Sequence, residues 1–209
     1  MLFVAVERSL DLQESLDPEE WAAIMDRFVG IVTDEVRRFE GSVESSTGDG
    51  ITAVFGVPLA LEDHAQRSAR AALKVFRSVG DLALELRRTN QLDFQVCIGL
   101  SSGEAVVDRA GDEVRLDSTA SGRTSGLAQR MADLAEPGRL YVTEQTARLL
   151  RATFDVRDLG LMTVRALVPR CRCSCSKARP RPVRGLQCGP KCRWSGEAPT
   201  WRYWRTPWT

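Results

Sequence analysis

A carboxylate stands between two glycines in Thr47-Gly48-Asp49-Gly50, with the strand-like residues Val43 before it and Ile51 to Phe55 after it. Asp-Gly between two such runs signals a tight hairpin, since the turn needs backbone angles that these residues tolerate. Taken alone, Asp49 reads as the turn residue of that hairpin. His64 is the only histidine and follows Glu62-Asp63 at a helix start. It has no histidine or cysteine at ligand spacing, so it reads as structural or solvent-facing. Cys171, Cys173 and Cys175 form a C-x-C-x-C run, followed by Cys188 and Cys192. Structural zinc sites favour paired C-x2–4-C units, and no histidine lies nearby, so this run is not expected to hold a metal. Basic residues interleave with Trp201, Tyr203, Trp204 and Trp208, the composition of a nucleic-acid contact. No periodic element presents them, and nucleic acid is not an expected partner. Cys97 sits in an alternating strand and reads as a small buried hydrophobe.

The elements that must position these groups follow from spacing. Asp17-Pro18-Glu19-Glu20 is a helix start, with Asp at the N-cap, Pro at the first helical position and acids at the positive end of the dipole. Trp21, Ile24, Met25, Phe28, Val32, Val36 and Phe39 continue at the spacing of an amphipathic helix, and Gly41 is placed to end it. A second helix is expected from about residue 62 to 88, with Ala65, Ala69, Leu73, Phe76, Val79, Leu82 and Leu86 on one face. Phe94, Val96, Ile98 and Leu100 alternate as a half-buried strand, and another strand covers 104–108. Residues 122–134 read as a helix, 140–142 as a strand, 144–150 as a helix and 154–156 as a last strand. Helices packed on one side of a mainly antiparallel sheet, an α+β sandwich of ferredoxin-like type, fit this order.

Composition bounds the class. The chain has 209 residues, 43% hydrophobic and 27% charged, the balance of a core-forming protein with room for one ordinary domain and an appendage. No apolar run approaches the length of a membrane span, and Met1 to Val6 is too short and too quickly followed by Glu7 and Arg8 for a signal peptide. No membrane contact is expected, and the expected location is cytoplasmic. The net charge of +1 conceals a division. From Arg170 onward ten Lys and Arg face the single acid Glu197, and the same segment holds five of six cysteines and four of five tryptophans.

Four segments, in order and in register, carry a family resemblance. They are Leu16 to Trp21 with Ile24 to Phe28, Thr47 to Ile51 with Ala53 to Gly56, Glu62 to Arg67, and Gly126 to Met131 with Leu134 to Gly138. Together they resemble the catalytic domain of class III adenylate/guanylate cyclases. The branch is the bacterial one often found at the front of large proteins with an ATPase module and helical repeats. The resemblance covers residues 1–165. It implies conversion of ATP to cyclic AMP and pyrophosphate, with GTP as the other candidate substrate. It also implies active sites at a head-to-tail dimer interface, either a homodimer or a heterodimer with a complete cyclase domain. Two divalent ions, Mg2+ or Mn2+, would lower the pKa of the attacking 3′-hydroxyl and neutralise the triphosphate. A cation from the other subunit would steady the transferring phosphoryl group.

By this resemblance Asp49 is a metal ligand, Arg130 the transition-state arginine, and Thr119 a base-reading residue of adenylate type. Ser45 falls where the base-selecting lysine would stand and Gly126 where the ribose-orienting asparagine would stand, both changes the branch shows. Ala5 is different, because it occupies the position of the other metal-binding aspartate. Glu7 would lie on the same face but about 7 Å further along the strand. Impaired turnover is the expectation, with a non-catalytic nucleotide-binding or dimerising regulatory module in signal transduction as the alternative. Beyond Val164-Arg165 the pattern breaks into Arg, Pro, Cys, Trp and Ser, the composition of a GC-rich gene read in the wrong frame. The expectation is a frameshift near residue 166, loss of the last strand, and a 166–209 tail without ordered structure.

Overall fold

The computed structural model describes residues 1–48, 50–57, 60–104, 107–110, 113–116, 118–162 and 173–180. Among these, strand β1 (Leu2–Val6) is followed by a short helix α1 (Ser9–Ser15), a long helix α2 (Pro18–Arg38), and the hairpin β2 (Gly41–Thr47) and β3 (Gly50–Phe55). Then come α3 (His64–Thr89), β4 (Val96–Leu100), the pair β5 (Val107–Ala110) and β6 (Glu113–Leu116), and α4 (Ser118–Leu134). The order closes with β7 (Leu140–Val142), α5 (Glu144–Leu150), β8 (Phe154–Met162) and β9 (Cys173–Pro180). The main sheet runs β2-β3-β1-β4-β7-β9-β8, and only β4 and β7 pair in parallel. This is the expected α+β class with a mainly antiparallel sheet.

The α2 start is built as its residue types require. The Asp17 carboxylate accepts the Glu19 N–H at 3.3 Å, and Pro18 opens the helix. Trp21, Ile24, Phe28, Val32 and Val36 are buried along one stripe, against the Ala65, Ala69, Ala72, Phe76 and Val79 stripe of α3. Small alanines on α3 let the two helices approach closely over the sheet. Phe28 meets Phe94 edge to face, with ring centroids 5.7 Å apart, and burying one such ring is worth about 2–3 kcal/mol. Glu35, nearly buried on α2, accepts from Arg38 at 3.2 Å and from the Ser78 hydroxyl at 2.9 Å, so its charge is not left unpaired.

Three expectations need correction. Gly41 does not end α2. The left-handed residue is Glu40 (φ 59), and Gly41 begins β2, where the Phe55 ring fills the space a side chain would need. The helices do not all lie on one side either. Leu2, Val4 and Val6 of β1 face the core shared with α2, α3 and α5, while Phe3 and Ala5 face α4. The cause is local: at Gly99 the α4 backbone comes so close to β4 that a Cβ would sit 1.9 Å from the Ala128 carbonyl oxygen. Finally, the segment expected to lack a closing strand contains β9. It lies between β7 and β8, pairing Tyr141 with Lys177 and Asp155 with Arg179. Ladder hydrogen bonds join main-chain groups, so two strand edges can recruit a segment with no hydrophobic alternation. Residues 181–209 lie outside the described residues, as does the rest of the tail before Cys173.

Candidate functional site

The face of the sheet that carries α4 also carries Ala5, Gly50 and Thr47. Ala5 pairs directly with Gly50 across β1 and β3, and Thr47 pairs with Gly50 across the hairpin. Directly opposite residues share a face, so Ala5, Gly50 and Thr47 form one row. The register leaves Gly48 and Asp49 as a two-residue connection, and the Thr47 hydroxyl closes it by donating to the Gly50 carbonyl at 3.1 Å. Asp49 itself lies outside the described residues. Its neighbours hold the turn beside Ala5. A side chain at Gly50 would displace the Phe3 ring, whose Cζ lies 2.5 Å from where a Cβ would be.

Ser45 reaches this face through a bulge. Val43 pairs with Ala53 and packs on the α2 side, whereas Ser45 pairs with Thr52, leaving Glu44 as the extra residue. Without that insertion Ser45 would share the face of Val43 and point to the core. The bulge turns it outward, where it is exposed. On α4, Thr119 is the second residue, Gly126 faces open space with nothing within 4 Å of a notional Cβ, and Arg130 is half-buried. Gly126 and Arg130 are four residues apart, hence on one side of the helix. Ala128, Met131, Ala132 and Ala135 fix that helix by packing on Phe3, Cys97 and Tyr141.

The Glu7 carboxylate is engaged away from the hairpin. The Glu7 N–H bonds to the Gln95 carbonyl at 2.8 Å, which ties the turn after β1 to the segment before β4. The carboxylate accepts from the Cys97 thiol at 3.4 Å, and Cys97 is the partner of Ala5 on β4. The side chain is thus drawn to the β4 side, while the hairpin lies on the β3 side. Burial, then the hydrogen bond to Glu7 and the charges of Glu7 and Asp133, push the Cys97 thiol up to about 12. The His64 Nδ1–H donates to the Leu61 carbonyl at 2.8 Å and serves the loop before α3.

The two divalent ions implied by the resemblance need two carboxylates on β1 and the hairpin. Ala5 presents a methyl group, Gly50 has no side chain, and Glu7 is engaged with Cys97. Among the described residues no group of three or more His, Cys, Asp and Glu side chains could hold a metal. Among the described residues, β1 and the hairpin do not supply the two carboxylates such a centre needs. Arg8 carries no signal in the sequence, yet it follows directly in a left-handed conformation (φ 50, ψ 43) with its side chain exposed.

Comparison with known proteins completes the picture. Rv1319c of Mycobacterium tuberculosis, an uncharacterized protein, is 30% identical over 149 residues, which is 70% of this chain and 26% of that protein. The uncharacterized protein Rv1320c of the same organism is 32% identical over 151 residues, 71% of this chain and 25% of that protein. The chain therefore spans about a quarter of the length of these curated relatives. Among solved structures, the adenylyl cyclase CyaB from P. aeruginosa superposes with a TM-score of 0.76 at 17% identity, covering 87% of this chain and 93% of that one. The guanylate cyclase domain of RhGC from Catenaria anguillulae, in complex with GTP, gives 0.70 at 20% identity, covering 87% and 95%. These likenesses establish the fold. The sequence model for the adenylate and guanylate cyclase catalytic domain matches residues 1–175, and the chain belongs to that family.

Proposed function

We propose that this chain is a cyclase-type domain that binds a purine nucleoside triphosphate, ATP by the resemblance of Thr119, and pairs with a second cyclase domain in signal transduction. As a homodimer it turns ATP into cyclic AMP and pyrophosphate very slowly or not at all. One observation carries this reading: Ala5 lies directly opposite Gly50, beside the Asp49 turn, where a second oxygen donor is required. In a homodimer both sites inherit that lack. Arg130 on α4, with Gly126 beside it, remains available to a partner that has both carboxylates, and such a heterodimer would contain one complete site. Binding without turnover is the regulatory reading, and Ala5 favours it.

Cyclic AMP formation by the parent and by Ala5→Asp, each with Mn2+ or Mg2+, tests the proposal alongside a nucleotide titration. Restoring one carboxylate that helps activate the 3′-hydroxyl should raise the rate by at least tenfold. Equal inactivity of the two proteins would remove Ala5 as the limiting defect. A parent already as fast as the variant would remove the impaired-enzyme reading.

A further inference from the structure

Helix α3 carries a row of charge that the cyclase reading does not use. Between Asp63 and Asp81 it holds four basic residues, Arg67, Arg70, Lys74 and Arg77, and no acidic one. Arg67 is neutralised within the fold, by Asp63 at 2.7 Å and Glu40 at 3.0 Å. The other three are not. Arg70 and Arg77 are exposed and Lys74 is half-buried, and none forms an ion pair among the described residues, although Arg27 and Arg38 on the neighbouring helix do. Asp63 is taken by Arg67, and Glu35 on the α2 flank is taken by Arg38 and the Ser78 hydroxyl. Three like charges on one helix repel one another, so the row gains from a counter-charge outside the chain.

Spacing turns the row into a seam. Positions 70, 74, 77, 81 and 84 alternate steps of four and three, which keeps one side of a helix facing a partner helix. Ala69, Ala72, Phe76 and Val79 fill the core side of the same turns, so the seam points outward. It is about 21 Å long and presents Arg, Lys, Arg, Asp and Leu in order. Leu84, at 51% exposure, is one of three large apolar side chains left outside the core among the described residues. Charge then decides the partner's chemistry. A long polyanion fits poorly, because Asp81 interrupts the seam and residues 1–169 hold 19 Lys and Arg against 27 Asp and Glu, a net of −8. An anionic lipid surface meets the same obstacles. No aromatic side chain is exposed among the described residues to stack a base. A protein helix with acids opposite Arg70, Lys74 and Arg77, a base opposite Asp81 and an apolar residue opposite Leu84 satisfies every position. We propose that the outer seam of α3 docks an acidic amphipathic helix of a partner protein. The docking face is the one opposite α4, so the row of Ala5, Gly50 and Thr47 stays uncovered, and the proposal stands apart from the nucleotide reading. Exposed ion pairs are individually weak, so the contact is salt-sensitive and readily reversed, with Leu84 as its apolar anchor.

Fluorescence anisotropy of the full chain with a labelled helical peptide tests it. The peptide presents Glu, Glu, Glu, Lys and Leu at the same alternating spacing, and a control peptide has Glu and Lys exchanged. The acidic peptide should bind in about 25 mM salt, with a dissociation constant at least about tenfold higher in about 300 mM salt. The exchanged peptide should bind at least about tenfold more weakly. Arg70→Gln, Lys74→Gln and Arg77→Gln combined should weaken binding by about tenfold or more, and Leu84→Ala by about threefold, each melting within about 2 °C of the parent. Arg77→Gln alone, with a loss of about threefold, carries the test should the combined variant not fold. No binding of the acidic peptide at low salt overturns the proposal. Binding that survives in the combined variant overturns it too, and assigns the peptide to other cations, those of the basic tail included. Single-stranded RNA or phosphatidylserine vesicles that displace the peptide from the parent and lose binding in the combined variant would make the seam a general anion site, which overturns an acidic helix as its partner.

Discussion

At the scale of single residues, the contact between Glu7 and Cys97 decides two properties. It holds a carboxylate away from the hairpin, and it protects a thiol. The Cys97 hydrogen is shared between the Glu7 carboxylate at 3.4 Å and the Ala135 carbonyl at 3.3 Å. Ionising the thiol would place a negative charge in an apolar layer next to Glu7 and Asp133, so its pKa rises to about 12. The sign of the linkage follows. The unfolded chain releases this proton in the ordinary thiol range and the folded chain does not, so the folded state binds more protons above about pH 9. The stabilisation is fully present below that pH and is lost as pH rises towards 12. Urea midpoints measured between pH 8 and 11 should therefore fall with a steeper slope in the parent than in Cys97→Ala. The tail cysteines are common to both proteins and cancel in the difference. Parallel slopes would show that Cys97 ionises as freely in the folded chain as in the unfolded one.

At the scale of elements, the placement of α4 rests on two glycines with opposite demands. Gly99 on β4 touches the helix backbone, where a Cβ would lie 1.9 Å from the Ala128 carbonyl oxygen and 2.5 Å from the Ala132 nitrogen. Main-chain atoms cannot rotate away, so Gly99→Ala must push α4 off the sheet. Gly126 on α4 has open space around it. Gly99→Ala should cost roughly 1–3 kcal/mol in chemical denaturation, as overpacking does. Gly126→Ala should add up to about 1 kcal/mol, as alanine replaces glycine in a helix interior. A neutral Gly99→Ala would mean that α4 is not held by this contact. The contrast also explains what the sequence could reveal. Helices α2, α3 and α5 were legible because each buries a periodic stripe, such as Trp21, Ile24, Phe28 and Val32. Helix α1 was not, since Ser9–Ser15 buries no residue and leaves no pattern. Which face α4 takes depends on a backbone contact at Gly99, and periodicity does not encode that. The positions Ala5 and Ser45 could be matched by resemblance alone, but their shared face depends on the bulge at Glu44, which moves every later residue of β2 to the other side. The left-handed backbone at Arg8 leaves no trace in residue type.

At the scale of the whole molecule, the segment with the least family-like composition closes the sheet. Among the described residues β8 finds its only sheet partner in β9, over the register from Phe154 opposite Pro180 to Met162 opposite Cys173. Strand β7 likewise uses β9 on the side away from β4. A chain ending at Pro180 keeps every ladder bond of this sheet. A chain ending at Met162 releases β8 and leaves the outer edge of β7 open, an arrangement that invites pairing between molecules. Thermal melts of the two truncations beside the full chain should separate the roles of composition and main-chain pairing. The Pro180 truncation should melt within about 2 °C of the full chain, and the Met162 truncation roughly 5 °C or more below it, with a greater tendency to associate. Loss of stability in both would place the stabilising contacts beyond residue 180. Equal melting of all three would show that β9 contributes nothing to the folded sheet, whatever its register. The domain that holds Ala5, Ser45 and Arg130 would then be complete within the first 162 residues, and the basic, cysteine-rich segment would be an appendage to it.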